Sequence, residues 1–295
     1  MFPARPAYTV AFPGGAIQLG SRCLVMGILN VTPDSFAASG PFASDDEAAN
    51  AAVRLEAAGA DIIDIGGEST RPGAEPITAR EELARVLPVL ERLRGRISVP
   101  ISIDTSKADV ARAALSAGAS IVNDVTGLQG DPAMARTVGA AGAALVLMHM
   151  RGTPKTMAAE AVYGDVVTDV TSELGAAIAR AVAGGVARDR IIVDPGIGFA
   201  KRAAHSYGVL ARLADIGAAL ERPVLVGPSR KSFMAAALGE VPPAERDWGT
   251  AAAVTACVLA GAHIVRVHAV EEMIQVVRVA EELRKHAMTR VTEQP

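Results

Sequence analysis

A chain of 295 residues, half of them hydrophobic, can bury a large core, and one α/β barrel of about 250 residues is a common use of such a length. Its 29 Lys and Arg stand against 32 Asp and Glu, a formal net charge of -3, with no basic cluster of the kind that nucleic-acid binding requires. No apolar run of about 18 residues predicts a membrane span, and residues 1–15, with Arg5 and three prolines, lack the apolar segment of a secretory signal.

In chain order, residues 8–20 predict a β-hairpin turning at Pro13-Gly14-Gly15. Short, almost continuously apolar runs then recur at 23–29, 62–65, 101–103, 121–122, 145–148, 191–193, 224–226 and 264–267. Continuous apolar character marks parallel strands covered on both faces. Between them, helical spacing occupies 44–58, 79–94, 107–117, 131–141, 165–183, 209–220, 244–259 and 271–287. The first of these opens Ser44-Asp45-Asp46-Glu47, a helix-start signal. Gly59, Gly118, Gly142, Gly184 and Gly261 follow helical stretches as C-caps. Eight strand–helix alternations predict a single (β/α)8 TIM barrel over 1–295, with the hairpin of 1–20 at its floor and a disordered tail over 288–295. The alternative, an open dinucleotide-binding sheet, uses fewer strands and a Gly-x-Gly-x-x-Gly turn after the first, which is absent here. Cys23 and Cys257 lie in apolar stretches and read as buried free thiols of a soluble, cytoplasmic protein.

In such barrels the C-terminal strand ends form the active face. Here every strand runs into polar residues: Asn30; Asp64 and Gly66-Gly67-Glu68-Ser69-Thr70-Arg71-Pro72; Asp104; Asn123-Asp124; His149; Asp194; Ser229-Arg230-Lys231-Ser232; and Arg266 with His268. Buried carboxylates cost several kcal/mol unless paired or bound, so stability alone does not explain them. Two environments can be separated. Arg230, Lys231, Arg266 and His268 are cationic and follow strands 7 and 8, where this fold often binds phosphate. Asp104, Asn123 and Asp194 suit a flat heterocycle with several N–H donors. A ligand with a donor-rich head and an anionic tail satisfies both. Of only five lysines, Lys107 and Lys155 read as solvated loop residues, Lys201 follows strand 6, and Lys231 is the functional candidate. Asp64 reads first as a residue that orients its neighbours, Asp124 as a local cap, and His149 is left open between core and site.

These residues also carry a resemblance. The runs 26–36 (Met-Gly-Ile-Leu-Asn-Val-Thr-Pro-Asp-Ser-Phe), 64–73 (Asp-Ile-Gly-Gly-Glu-Ser-Thr-Arg-Pro-Gly), 101–105, 123–125, 148–157, 194–199 (Asp-Pro-Gly-Ile-Gly-Phe), 229–233 (Ser-Arg-Lys-Ser-Phe) and 266–268, in order and after successive strands, resemble dihydropteroate synthases, the sulfonamide-inhibited enzymes of folate synthesis. The resemblance implies condensation of 6-hydroxymethyl-7,8-dihydropterin diphosphate with 4-aminobenzoate, giving 7,8-dihydropteroate and diphosphate. It implies a pterin pocket at Asp104, Asn123, Asp194 and Lys231, counts Met148 among the substrate-binding residues, and implies a diphosphate site at Asn30, Arg266 and His268, with Mg2+ near Asn30. It places 4-aminobenzoate against Thr70, Arg71, Pro72, Phe199, Ser229 and Lys231, beneath loops 26–42 and 66–76, and adds Arg230 to the binding set. It also implies a homodimer formed through late helices. Three positions depart from the usual pattern: Ala38 and Ala269 replace acidic residues, and Ser206 stands where Asn is common. Ala38 and Ala269 leave open a pterin-binding paralogue without synthase activity. A Schiff-base aldolase using Lys231 is a third possibility.

Overall fold

The computed structural model describes residues 2–32, 42, 44–71 and 73–288. Pro72, Ala38 with most of the first loop, and the expected tail beyond Met288 lie outside these residues. The hairpin is present: β1 (Tyr8–Phe12) pairs antiparallel with β2 (Gly15–Leu19) in the register Tyr8↔Leu19 to Phe12↔Gly15. Eight parallel strands follow: β3 (Leu24–Asn30), β4 (Ile62–Gly66), β5 (Ile101–Asp104), β6 (Ile121–Asp124), β7 (Ala144–Met148), β8 (Ile191–Asp194), β9 (Leu225–Val226) and β10 (Ile264–Val267). Their order is β8-β7-β6-β5-β4-β3-β10-β9, and a parallel bridge from Val193 to Val224 brings the two ends together. The predicted (β/α)8 barrel is therefore the observed one.

The helices lie between the strands as the spacing implies, with ends set by local chemistry. Helix α1 (Asp45–Ala57) starts at Ser44, whose side chain accepts from the Glu47 N–H. Helix α2 (Ala79–Leu93) begins with a capping box in which Thr78 and Glu81 serve each other's backbone donors. Helix α3 (Ala108–Ala117) ends at Gly118 with φ 117°, the left-handed cap. Helix α4 (Met134–Ala141) starts three residues later than its spacing suggests, because the Asp131 carboxylate takes the Ala108 and Ala133 N–H groups and holds a turn. Helix α5 (Val166–Ala183) is capped by Asp165. The stretch predicted as one helix over 209–220 is two, α6 (Ala203–Ala211) and α7 (Leu213–Leu220), separated where Arg212 leaves helical dihedrals. A short α8 (Ala235–Leu238), α9 (Asp247–Leu259) and the closing α10 (Val270–Met288) complete the ring.

Side chains alternate along each strand, which divides the core in two. Outward residues such as Val25, Ile63, Ile65, Ile103, Val122 and Leu145 pack beneath the helices. Inward residues Met26, Ile62, Ile121, Val146, Ile192, Leu225 and Ile264 form a separate cluster, joined by Val10, Ile17 and Leu19 of the hairpin. The hairpin thus plugs the barrel floor. Cys23 and Cys257 are free and buried, and burial pushes the Cys23 thiol up to about 12.

Candidate active site

The inward face changes character one step up the barrel. Two residues beyond Ile62 comes Asp64; beyond Ser102, Asp104; beyond Ile121, Asn123; beyond Ile192, Asp194; beyond Ile264, Arg266. Period-two alternation therefore puts a polar layer directly on top of the apolar plug. Register places Asp104 beside Gly66 and Asn123, and Met148 beside Asp194.

Arg266 organises this layer. Its Nε donates to Asp64 Oδ2 at 2.6 Å and its Nη2 to Asp104 Oδ2 at 2.8 Å. Asp64, wholly buried, also accepts from Asn123 Nδ2 at 3.3 Å. That is the orienting role the sequence assigns it. The two environments separable in the sequence meet in space, because Arg266 of the cationic set is paired with Asp104 of the acidic one. Burial pushes the Asp104 carboxyl up to about 7, against the pull of Arg266, and its Oδ1 is buried with no hydrogen-bond partner among the described residues. Burial disfavours the charge of Arg266, but Asp64 and Asp104 more than compensate.

Across the mouth, Asp194 Oδ1 accepts the Gly196 N–H at 2.7 Å. This turn requires glycine: Gly196 has φ 69°, and a Cβ there would lie 2.0 Å from the His149 carbonyl oxygen. Burial raises Asp194, opposed chiefly by the positive Lys231. Lys231 donates to the Ile197 carbonyl at 2.6 Å and lies 4.2 Å from the Phe199 ring centroid. Burial lowers its ammonium to about 8, with Asp194 pulling upward. Phe199 packs on an apolar patch of Val125, Met148, Met150 and Met157.

Ser229 and His268 face each other, Oγ to Nδ1 at 3.0 Å, and Ser229 Oγ accepts the His268 N–H at 3.3 Å. Ser229 Oγ can accept the backbone N–H and donate its own proton to Nδ1 at once, and in that arrangement the His268 proton sits on Nε2. Burial, then Arg266, Arg230 and Arg71, hold the imidazole down at about 3, so it is neutral and a hydrogen-bond donor through Nε2. Thr70 is half-buried and Arg71 exposed on the loop after β4. Asn30 ends β3, half-buried at the same rim.

Other residues are placed differently from their sequence reading. Arg230 turns its fork to Asp247, at 2.8 and 2.7 Å, and its φ of 58° is held by backbone bonds with Thr250 and Arg246. Lys107 is no solvated loop residue: it bridges Glu68 at 2.8 Å and the buried Glu82 at 2.6 Å, tying the loop after β4 to α2. Lys155 pairs with Glu75 in the open. Asp124 caps the Thr126 and Leu128 N–H groups, as expected. Ser206, one of the departures, accepts the Gly198 N–H at 3.3 Å. Sequence reasoning missed a buried chain behind β8: Lys201 to His149 Nδ1 at 2.8 Å, and His149 Nε2 to Glu173 at 3.0 Å. The scarcity of lysine was the one available signal. A cavity of about 1110 Å³ at the opposite, floor end is lined by Arg5, Arg22, Asp61 and Glu281. These charges are already paired, Arg5 with Glu281 and Arg22 with Asp61.

The comparisons agree with this geometry. The family model described as pterin binding enzyme matches residues 26–268. The dihydropteroate synthase of Synechocystis sp. is 46% identical over 264 residues, covering 90% of this chain and 91% of that protein. The crystal structure of the Yersinia pestis dihydropteroate synthase with a sulfonamide drug complex superposes with a TM-score of 0.88 at 43% identity, covering 94% of this chain and 99% of that one. The Burkholderia cenocepacia enzyme complexed with 7,8-dihydropteroate gives 0.85 at 42% identity, covering 98% and 100%. With the family model spanning every strand of the polar layer, the chain belongs to the dihydropteroate synthases among the pterin binding enzymes.

Proposed function

We infer that this protein is a transferase, a dihydropteroate synthase that joins 6-hydroxymethyl-7,8-dihydropterin diphosphate to 4-aminobenzoate, forming 7,8-dihydropteroate and releasing diphosphate. The observation that carries this is the single polar layer in which Asp104, Asn123 and Asp194 share one mouth with Arg266. A pterin's ring edge presents N–H and amino donors to the carboxylates. Asp194 and the unpartnered Oδ1 of Asp104 are the acceptors for them. Arg266 and the Nε2–H of neutral His268 face the departing diphosphate. Lys231, between Asp194 and Phe199, spans the junction of the two substrates.

In the reaction the C–O bond to diphosphate breaks, and positive charge at the CH2 spreads into the electron-rich dihydropterin. The neutral arylamine then forms the C–N bond and releases a proton. Stabilising the departing anion is the main catalytic demand, and no protein nucleophile is needed. Lys231 is accordingly assigned to binding and electrostatics, not to a Schiff base. The aminobenzoate contacts are assigned to Thr70, Arg71, Pro72, Phe199 and Ser229. Arg230 reaches substrate only by leaving Asp247.

Mg2+ belongs to the same proposal. Asn30 would offer this oxygen-seeking ion an amide oxygen at the diphosphate end, and diphosphate and water would supply the remaining ligands. Among the described residues no group of three or more His, Cys, Asp or Glu forms an all-protein site. When bound, the ion would neutralise charge on the diphosphate. A homodimer and a cytoplasmic location complete the reading. Trp248, 89% exposed on α9, and the exposed Leu238 of α8, which lies against Gly249 of that helix, support an apolar contact between copies. No helix among the described residues is long and apolar enough to cross a membrane.

The test is a coupled assay of diphosphate release with and without 4-aminobenzoate, paired with complementation of a folate-requiring, synthase-deficient strain. Release dependent on 4-aminobenzoate, together with growth, is expected. Pterin binding without turnover would favour the paralogue suggested by Ala38 and Ala269.

A further inference from the structure

Behind the loop that follows β8 lies a buried charged chain that the reaction above does not use. Lys201, 7% exposed, directs its ammonium to His149 Nδ1 at 2.8 Å and to the Phe199 carbonyl at 3.1 Å. His149, at the end of β7, reaches Glu173 of α5 through Nε2 at 3.0 Å. Glu173 in turn holds Arg151, which stacks 4.2 Å from the Tyr163 ring. The Tyr163 hydroxyl donates to the Ala200 carbonyl at 2.9 Å, and Ala200 is a non-glycine residue at φ 47°. Two consecutive carbonyls of the loop, at Phe199 and Ala200, are thus pinned from this chain. The backbone of His149 is bonded to Asp194 as well, N to O at 2.8 Å.

We propose that Lys201 is a positioning residue for the pterin end of the site: with His149 it holds one proton beyond neutrality behind the β8 loop, and that charge keeps Asp194 an acceptor and fixes Phe199 against Lys231. Glu173 can only accept, so His149 carries its proton on Nε2 and turns Nδ1 to the lysine. The charge is the third proton of the Lys201 ammonium: the neutral amine, with two N–H groups, still reaches Nδ1 and the Phe199 carbonyl, so deprotonation removes the charge and keeps both bonds. The negative Glu173 balances that charge while it is held. The charged and titratable groups facing the pair are Asp194 from β8, Lys231 from the loop after β9, Glu173 from α5, Arg151 and Tyr163 from the segment after β7, and His205 from α6. Burial lowers the Lys201 ammonium to about 7, with Asp194 and Glu173 opposing and Lys231 and Arg151 adding to the fall. The pair therefore loses its proton as pH rises through the neutral range.

This inference rests on the pterin reading, so its test uses that ligand. Affinity for 6-hydroxymethyl-7,8-dihydropterin diphosphate is measured by isothermal titration from pH 6 to 9 for the wild type, Lys201→Met and Glu173→Gln. Titration of the ligand and of Asp104 is common to all three proteins, and Lys231, which repels the Lys201 ammonium, keeps its proton to higher pH in Lys201→Met and so narrows the gap further at the alkaline end; the gap between proteins is what reports on the pair. Lys201→Met is expected to bind about tenfold more weakly at pH 7, and the gap narrows to about twofold by pH 9, where the wild type has lost the same charge. Glu173→Gln keeps a hydrogen-bond acceptor for His149 but removes the balancing charge, so its pair deprotonates at lower pH. Its gap opens near pH 7, to about threefold, and closes by pH 9. Should Lys201→Met fail to fold, Glu173→Gln decides alone. A gap constant across pH, the mark of packing only, or no gap at all overturns the proposal. Failure of the functional reading looks different: the wild type itself would bind no pterin diphosphate, and the role given to Lys201 would fall with it.

Discussion

The role proposed for Asp104 comes at the expense of stability. Its carboxyl is pushed up to about 7 by burial, so the folded protein holds a proton there that the unfolded chain, with an ordinary carboxyl near 4, has already released. The stabilisation this confers is full below about pH 4 and is lost as pH rises through about 7. Asp104→Asn still offers Arg266 an acceptor and removes the cost of ionisation. It should gain on the order of 2 kcal/mol at pH 8, fading to nothing near pH 4, in urea unfolding, while titration calorimetry shows weaker pterin binding. Arg266→Ala has the opposite effect. It strips Asp64 and Asp104 of their shared partner, and uncompensated buried charge of this kind costs about 3–5 kcal/mol. Its instability should grow from pH 5 to pH 8 in the same unfolding series, as Asp104 is forced to ionise unpaired, and its affinity for diphosphate should fall. The sequence made these residues visible because strand ends in a barrel share one mouth. It left the Arg266–Asp64–Asp104 contact unseen, since side-chain pairing across 162 and 202 positions has no local signature. The Arg230–Asp247 pair went unseen for the same reason: Asp247 lies on another element.

Between elements, the loop after β4 depends on a lysine of the next unit. Lys107 holds Glu68 of that loop and Glu82 of α2 together, and Glu82 is wholly buried with one oxygen already lacking a partner. Lys107→Met should cost about 3 kcal/mol or more by leaving that carboxylate uncompensated. Adding Glu82→Gln should recover much of the loss in chemical denaturation, because the residue left behind is neutral. The same variant should raise the KM for 4-aminobenzoate, since Glu68 accepts the Ile77 N–H and shapes the loop that carries Thr70 and Arg71. Apolar runs and caps were enough to place the strands and most helices, because parallel strands read as continuous hydrophobic stretches and Ser44, Thr78 and Asp165 are local caps. The break at Arg212 was not legible: 203–220 keeps apolar spacing throughout, and nothing in that spacing marks where the dihedrals change.

Across the whole molecule, one alternation serves two ends. Inward positions are apolar in the lower barrel and polar in the upper, so the floor supplies stability and the mouth chemistry. The hairpin belongs to the first task. Val10, Ile17 and Leu19 close the inner cluster around Met26, Ile121 and Ile192, and none of them reaches the polar layer among the described contacts. Ile17→Ala removes three buried carbons from that plug and should cost about 2–4 kcal/mol through lost burial and the cavity left behind. At a temperature well below its midpoint the variant should keep the kcat/KM of the wild type for both substrates, because Arg266, Asp104 and Asp194 are held by one another, by Asp64 and by the β8 turn. Thermal unfolding and steady-state rates on one preparation give both quantities. A fall in kcat/KM matching the loss of stability would mean that the floor and the mouth are mechanically coupled, and that the layered division of labour does not hold.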